Sequence, residues 1–287
     1  MKRVIAAVLV KDGIAVQSIG FHRWLPVGRP EISARFFDSW DADEILLVDL
    51  DATAEGRLVD PHLVGRVAAE VHCPLAVGGG IRTTDDIRTL LNGGADKVVI
   101  ASEIAARPAL LTEAAGRFGA QCVIACIDAR ATASGFRAQA CGGKRDTGRD
   151  AVALAREYAA AGAGEILLNS IDRDGARNGY ALALAEAVGA AVTVPVICLG
   201  GAGHPDHVRA ALALDAVSAA AIGNMLTHSE HALTTIKAAL ADSGIPVRLN
   251  APADYRGAAR LADGRLARLP DPLLEAQIFE RAPEYVL

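Results

Sequence analysis

Large aromatic side chains are scarce in this sequence. Phe, Trp and Tyr together make up 4% of its 287 residues, whereas hydrophobic residues make up 52%. A core without many rings has to be filled by Val, Ile, Leu and Ala, which is typical of parallel sheets that are buried on both faces. The net charge of −5 also excludes a broad basic surface and therefore argues against a nucleic-acid partner.

Signals for export, membrane insertion and metal binding are also missing. No apolar run has the length needed to span a bilayer, so no membrane partner is expected. The apolar N-terminus is interrupted by Lys11-Asp12-Gly13, too early for a signal peptide. Five cysteines without scaffold spacing favour reduced thiols and a cytoplasmic location. No spaced His or Cys motif is present, and we predict neither a metal nor a cofactor.

Short apolar runs alternate with helical patterns along most of the chain. Eight such strand–helix units predict the α/β class and a single (β/α)8 TIM barrel over residues 1–249. Residues 250–287 follow as a C-terminal extension, which we interpret as a docking arm because so short a segment would hardly fold alone. The predicted strands are 4–10, 44–50, 75–77, 97–100, 122–127, 165–169, 196–199 and 216–221, and the predicted helices are 30–40, 61–71, 84–92, 108–118, 149–161, 183–188, 205–212 and 230–241.

An internal repeat supports a barrel made of two half-barrels. Asp49-Leu50-Asp51 is similar to Asp172-Arg173-Asp174, and the glycine cluster 78–80 is similar to 200–203, each about 120 residues further on. In such barrels the functional groups lie at the C-terminal ends of the strands. The two clusters would then face each other across the mouth and could bind a phosphate at each end of a long ligand. The alternative is that both are simply tight turns.

Four stretches make the sequence resemble a known family: 164–175 followed by Asn178-Gly179-Tyr180, 77–81, 200–203 and 142–148. Over roughly residues 1–249 the chain resembles the cyclase subunit of imidazole glycerol phosphate synthase, a (β/α)8 barrel of histidine biosynthesis. Stretch 142–148 resembles the mobile loop that follows the family's fifth strand. The resemblance implies a glutaminase partner at the N-terminal end of the barrel. Ammonia would pass from it through the barrel to a small, phosphorylated substrate at the other end.

The resemblance also implies an ammonia gate of two bases and two acids at the bottom of the barrel. All four have matches here, each at a strand start, where their side chains could meet near the axis: Arg3, Glu44, Lys97 and Glu165. The alternative is four ordinary surface charges. Asp96 matches an acid of the family's glutaminase interface.

The top of the barrel departs from the family. Of the two catalytic aspartates, Asp128 matches the one on the fifth strand, whereas Leu9 replaces the one on the first strand, and an isobutyl group cannot transfer a proton. Substrate-orienting roles are implied for Asp49, Asp172, Asp174 and Asn169, and phosphate-binding roles for Gly79, Gly80, Ser102, Gly201 and Ala202. Further departures from the family pattern are Gln17, Ala101, Leu199 and Ala221.

Three functional hypotheses follow. The first is a synthase-type subunit of a glutamine-dependent amidotransferase with an altered active site, acting on a phosphorylated or sugar-like substrate and possibly serving a downstream amidotransferase. Leu9 is typical of a divergent branch of the family that is associated with amidation of surface sugars. The alternative is a genuine imidazole glycerol phosphate synthase cyclase. The second alternative is a non-catalytic scaffold that conducts ammonia.

Overall fold

Eight parallel strands close into a barrel in the computed structural model, which describes residues 1–227, 229 and 231–276. Each strand pairs with the next barrel strand along the chain, and the last pairs with the first, Arg3 lying opposite Ala219. The barrel strands are β1 (Arg3–Lys11), β4 (Glu44–Asp49), β5 (Leu75–Gly78), β6 (Lys97–Ile100), β7 (Val123–Thr132), β10 (Glu165–Ser170), β11 (Val196–Leu199) and β12 (Val217–Ile222).

Helices follow the strands and pack outside them, which confirms the predicted (β/α)8 architecture. They are α1 (Pro30–Ser39), α2 (Pro61–Ala68), α3 (Thr84–Asn92), α4 (Ser102–Ala106), α5 (Ala109–Phe118), α6 (Ala151–Ala160), α7 (Leu182–Gly189), α8 (Pro205–Leu212), α9 (Ala232–Asp242) and α10 (Asp271–Glu275). The short helix α4 was not predicted. Residue 230, the predicted start of the last barrel helix, lies outside the described residues, and α9 begins at Ala232.

Local sequence accounts for where several helices begin. At α3 the Thr83 hydroxyl accepts the Asp86 N–H while the Asp86 carboxylate accepts the Thr83 N–H, a reciprocal capping box. At α2 the Asp60 carboxylate accepts the His62 N–H, and Pro61 occupies the first turn, where its missing N–H has no cost.

Alternate residues of each barrel strand point inward. Ile5 and Ala7 of β1 share an inner apolar cluster with Ile124 and Cys126 of β7 and with Leu167 of β10. The larger cluster lies between the strands and the helices and is dominated by Val, Ile, Leu and Ala. The scarcity of rings therefore corresponds to a core of closely packed aliphatic side chains.

Two β-hairpins were not predicted. The first, β2 (Ile14–Ile19) and β3 (Arg23–Gly28), follows the first barrel strand. The second, β8 (Gly135–Ala140) and β9 (Arg145–Asp150), follows the fifth. Their matching positions extend the half-barrel repeat. Asp12-Gly13, with φ of 49° and 74°, forms the two-residue turn from β1 into β2, where the first hairpin begins. Such dipeptides favour turns between antiparallel strands, so this pair was a local signal for β2.

The C-terminal extension contacts the outside of the barrel through residues between Asn250 and Gly264. The Asn250 N–H donates to the Asp41 carboxylate (2.9 Å), and the Tyr255 hydroxyl lies 2.7 Å from His231 Nδ1. Arg260 pairs with Asp242 at 3.1 Å. Its role as a docking arm stays a prediction, and the apolar end at 285–287 lies outside the described residues.

The five cysteines are free, with Cys126 and Cys198 buried. None of the described helices is long and apolar enough to cross a membrane.

Candidate functional site

A ring of four charges closes the N-terminal end of the barrel. Arg3 Nη1 donates to Glu44 Oε2 at 2.8 Å, and the Arg3 guanidinium also pairs with Glu165. Lys97 Nζ donates to Glu44 at 2.8 Å and to Glu165 at 2.7 Å. Bases and acids therefore alternate around the ring, with each base contacting both acids.

Burial and pairing act against each other in this ring. The Glu44 side chain is 2% exposed, and burial raises its pKa despite the nearby cations. Burial also opposes ionisation of Glu165, but hydrogen bonds from Arg3 and Lys97 outweigh it and lower the pKa of this carboxyl. Within the described part of the chain, Glu44 Oε1 is a buried oxygen without a hydrogen-bond partner. One carboxylate oxygen of the ring is therefore free to accept a hydrogen bond from a further donor.

Asp96 lies beside the ring, at the residue before Lys97. Its backbone N–H donates to the Leu75 carbonyl at 2.8 Å, and its carboxylate accepts the Leu75 N–H at 2.8 Å. The residue remains exposed at the N-terminal end of the barrel. Its carboxylate thus braces the start of β5 while facing the side where the glutaminase was predicted.

Asp128 lies at the opposite end of the lumen, two residues beyond the inward-facing Cys126. Its Oδ1 accepts Asn169 Nδ2 at 3.0 Å, and Asn169 is its register neighbour on β10. Burial, together with the charge of Asp174, raises the pKa of Asp128 to about 6, although the hydrogen bond from Asn169 acts in the other direction. A carboxyl that titrates near neutral pH is suited to exchange protons with a substrate.

Leu9 faces the same lumen from β1. It continues the inward series of Ile5 and Ala7 and pairs in register with Val48 of β4. Its position on the first barrel strand corresponds to that of Asp128 on the fifth. Of these two equivalent positions at the mouth, one therefore carries a carboxylate and the other an aliphatic side chain.

Three residues with predicted substrate or phosphate roles contact the hairpins or the end of β7, which leads into the second hairpin. Asp174 Oδ2 accepts the Ser18 hydroxyl (2.6 Å) and the Phe21 N–H (3.1 Å), and Asp172 Oδ2 accepts the Ala131 N–H (2.6 Å). The Ser102 hydroxyl accepts the Cys141 N–H (3.0 Å). Asp174 and Ser102 therefore each hold one hairpin against the mouth, and Asp172 holds the end of β7 from which the second hairpin starts.

The hairpin tips meet above the mouth. A Cβ built on Gly143, between β8 and β9, would lie 3.0 Å from Ile171 Cδ1 and 3.3 Å from Phe21 Cδ2, at the tip of the first hairpin. Asn224 also secures the first hairpin: its Oδ1 accepts the Ser18 N–H at 3.1 Å and its Nδ2 donates to the Ser18 carbonyl at 2.6 Å. Sequence analysis missed Ser18 and Asn224, because no local pattern reports a contact between residues so far apart.

The first glycine cluster is built around Asp49. This carboxylate accepts the N–H groups of Asp51 (2.9 Å) and Ala52 (3.1 Å) and an Nη1–H of Arg57 (2.6 Å). Since Val48 points into the lumen, Asp49 points out of it. Its observed contacts brace the loop after β4, and its substrate-orienting role stays a prediction. Gly79 and Gly80 pack directly on this loop.

The second cluster is equally tight. A Cβ on Gly201, where φ is +103°, would lie 2.1 Å from the Gly179 carbonyl oxygen. The Gly179 N–H donates to the Gly201 carbonyl at 2.9 Å. This hydrogen bond joins the loop after β10 to the loop after β11. Ala202 packs against the core, and His204 accepts the Asp206 N–H at the start of α8. Close backbone contact therefore accounts for glycine here, and phosphate binding at both clusters stays a prediction.

We expect Gly80→Ala to destabilise the protein strongly. The added Cβ would lie 1.8 Å from the Arg57 carbonyl oxygen, at a φ of +67°. The strained φ costs about 1–2 kcal/mol and overpacking about 1–3 kcal/mol more. Gly56→Ala is the matched control, since Gly56 has a φ of +69° and nothing within 4 Å of the added Cβ. Denaturant unfolding should show the larger loss for Gly80→Ala, and equal losses would contradict the steric argument.

This fold and site define a class: a (β/α)8 barrel of two similar halves, with a charge ring at one end of its lumen and a titratable acid at the other. A model of the family described as "Histidine biosynthesis protein" matches residues 3–232. The imidazole glycerol phosphate synthase subunit HisF of Myxococcus xanthus (strain DK1622) is 48% identical over 247 residues, which cover 86% of this chain and 98% of that protein.

The chain belongs to the histidine biosynthesis protein family and is a HisF-like member of it. This confirms the resemblance read from the sequence. Of the three functional hypotheses, the similarity favours the cyclase of imidazole glycerol phosphate synthase over the altered amidotransferase.

Proposed function

We propose that this protein is the cyclase subunit of an imidazole glycerol phosphate synthase, fed with ammonia through its barrel by a HisH-type glutaminase. The observation that carries the proposal is the placement of two chemically different sites on one lumen. The charge ring closes the N-terminal end, and Asp128 with its partner Asn169 lies at the other end. The 48% identity to a HisF subunit, covering almost all of that protein, supports it.

In this proposal ammonia enters through the ring. Arg3 and Lys97 retain 27% and 18% exposure of their side chains, so the ring can be reached from the N-terminal end. An ammonia molecule there can donate a hydrogen bond to the unpartnered Glu44 Oε1 while one of the ion pairs lengthens. Beyond the ring the lumen is lined by apolar side chains, from alanines such as Ala7 and Ala76 to larger residues such as Leu167. Such a lining favours neutral ammonia over the ammonium ion, because an unpaired charge is costly in apolar surroundings.

At the mouth Asp128 would transfer protons during ring closure and cleavage. Its pKa of about 6 leaves the carboxylate mostly ionised at neutral pH, ready to act as a base, and easily protonated to act as an acid afterwards. Asn169 would hold the reactive oxygen in place through its 3.0 Å hydrogen bond. The phosphates of the substrate would bind at the two glycine clusters, with Gly79 and Gly80 on one side and Gly201 and Ala202 on the other.

The glutaminase would dock at the N-terminal face, near Asp96. A cavity of about 250 Å³ opens at this end, between the residues that precede β4 and β5 and the start of the C-terminal extension. Asp38, Asp41, His72 and Arg248 are among its lining residues. We infer that the extension borders this docking face.

Leu9 favours a second candidate function, in which ammonia is added to a different phosphorylated or sugar-like substrate. With an aliphatic side chain on β1, the mouth has one proton-transferring carboxylate at this level rather than a symmetric pair. The ammonia route of the two candidates is the same, and only the reaction at the mouth differs.

Turnover of the phosphoribosyl-formimino substrate with ammonium salt decides between the two candidates. The proposed function predicts measurable cyclase turnover in the wild-type chain. If Leu9 limits that reaction, Leu9→Asp should raise the rate by about 10² or more, the size of effect expected for one acid–base group. No turnover in either protein would contradict the cyclase proposal and favour the second candidate. Leu199→Asp, another partly buried residue at the lumen, controls for simply adding a charge.

A further inference from the structure

Asp43, the residue before Glu44 of the ring, clamps the start of β1. Its backbone N–H donates to the Val4 carbonyl at 3.0 Å, and its Oδ2 accepts the Val4 N–H at 2.7 Å. In a regular parallel ladder the Val4 N–H would be taken up by a backbone carbonyl of the neighbouring strand. The nearby Ala42 carbonyl instead accepts an Nη2–H of Arg248 at 3.2 Å. The Asp43 carboxylate thus replaces a backbone acceptor next to Arg3.

The same clamp occurs once more in the barrel, again beside a ring residue. Asp96 precedes Lys97 and makes the equivalent pair of hydrogen bonds with Leu75. Two ring residues are therefore each preceded by an aspartate that fixes a residue at the start of the adjacent strand, Val4 of β1 or Leu75 of β5. Because both clamps directly precede a ring residue, we infer that they position the ring rather than stabilise an isolated turn.

Among the described residues, the Asp43 clamp has a buried cationic support that the Asp96 clamp does not have. Lys237 of α9 is fully buried, and its Nζ donates to Asp43 Oδ1 (3.1 Å), to Asp41 Oδ2 (2.8 Å) and to the Asp41 carbonyl (2.9 Å). Asp41 adopts a φ of +74°, and its Oδ2 also accepts the Asn250 N–H. A buried ammonium with three oxygen acceptors is fully satisfied, and it fixes the turn from α1 into β4.

We propose that Asp43, held by Lys237, is a positioning residue for the charge ring, setting the distance at which Arg3 meets Glu44. The two ring residues adjoin the two clamped residues, since Arg3 precedes Val4 and Glu44 follows Asp43. When the clamp is broken, the start of β1 loosens, and Arg3 no longer stays at hydrogen-bonding distance from both acids. The proposal rests on the proposed function for its consequence in turnover, although its structural part can be tested alone.

Lys237→Met tests the positioning role, because it removes the buried cation of Asp43. The cation that stays is Arg248, which is 43% exposed and whose Nε lies 3.2 Å from Asp43 Oδ1. With a HisH-type glutaminase, product formed per glutamine hydrolysed should fall about tenfold, while the ammonium-supported rate stays within about twofold of wild type. Hydrogen exchange of the Val4 amide should quicken by about tenfold, as expected for loss of one buried hydrogen bond. Asp43→Asn should also lower the product formed per glutamine and quicken Val4 exchange, since its single amide oxygen can accept from Val4 or from Lys237 but not from both. This variant replaces Lys237→Met as the test if Lys237→Met does not fold.

Thr234→Val is the matched control. Thr234 lies on the same helix, is buried, and donates to the Trp40 carbonyl at 3.0 Å without touching Asp43. It should leave both the coupling ratio and the Val4 exchange unchanged. Unchanged coupling and exchange in both test variants would overturn the positioning role. If the wild-type pair forms no product from glutamine, the proposed function fails instead, and the Val4 exchange alone decides the positioning.

Discussion

Replacing Asp128 by Asn should lower product formation at the barrel mouth by about 10²–10⁴, the usual contribution of one general acid–base group. The substitution is isosteric, and an amide oxygen can still accept the hydrogen bond from Asn169 Nδ2, so the mouth should keep its shape. The loss should therefore appear in kcat rather than in KM, with ammonium salt as the nitrogen source. A rate within about threefold of wild type would show that Asp128 transfers no proton.

The same substitution has an expected effect on stability with a definite pH dependence. The pKa of Asp128 rises from 3.8 in a free carboxyl to about 6 in the folded protein. The folded state therefore binds more protons between these values, and its stability falls as pH rises through this window. Two pKa units correspond to about 3 kcal/mol at most. Asp128→Asn, which cannot ionise, should raise Tm at pH 7.5 and have little effect on Tm at pH 4.

Asp128→Asn is best compared with Asp172→Asn. That carboxylate lies on the same rim but accepts a backbone N–H from β7 and has an exposed surface. Asp172→Asn should not raise Tm more at pH 7.5 than at pH 4, unlike Asp128→Asn. An equal gain in both variants would mean that general charge repulsion at the mouth, rather than burial of Asp128, sets the pH dependence.

Lys97→Met should both destabilise the protein and uncouple glutamine hydrolysis from product formation. It leaves Glu44 and Glu165, which are 2% and 10% exposed, to share Arg3 as their remaining ring cation. Removing one partner of a buried ion pair costs about 3–5 kcal/mol, because a charge is left without compensation. Denaturant unfolding measures this loss. The ratio of product to glutamine hydrolysed, with a HisH-type glutaminase, measures the coupling.

The double variant Lys97→Met/Glu165→Gln separates these two effects. It restores charge balance within the ring, since Arg3 then faces Glu44 alone, and should recover part of the lost stability. The coupling should stay low, because the closed alternation of bases and acids is gone. If coupling returns together with stability, the ring has a structural role only and the ammonia route through it is wrong.

The barrel itself followed from periodicity. Eight apolar runs of strand length, separated by amphipathic patterns, are sufficient to predict parallel strands closed by helices. The four ring residues were identified through the family resemblance, and their places at strand starts allowed their side chains to meet near the axis. Leu9 was related to Asp128 through the family motif and the half-barrel offset of about 120 residues.

What the sequence did not reveal are the contacts between distant loops. Asp172, Asp174 and Ser102 were assigned to substrate or phosphate because polar residues at strand ends commonly have such roles. In the fold Asp174 and Ser102 also accept hydrogen bonds from the two hairpins, whose strands were not predicted, and Asp172 accepts one from the end of β7. Lys237 gave no signal either: a lysine in an amphipathic helix predicts a solvated side chain, and only the acids of the α1–β4 turn explain its burial.

The meeting of the hairpin tips has a consequence for how the chain can be divided. The first hairpin belongs to the first half of the barrel but is secured by Asp174 and Asn224 of the second half. The second hairpin is secured in turn by Ser102 of the first half. Each half of the barrel thus supplies the residues that anchor the hairpin of the other half over the mouth. A half-barrel of this chain produced alone would have neither a closed sheet nor a covered mouth, and it would need a second copy to supply these anchors.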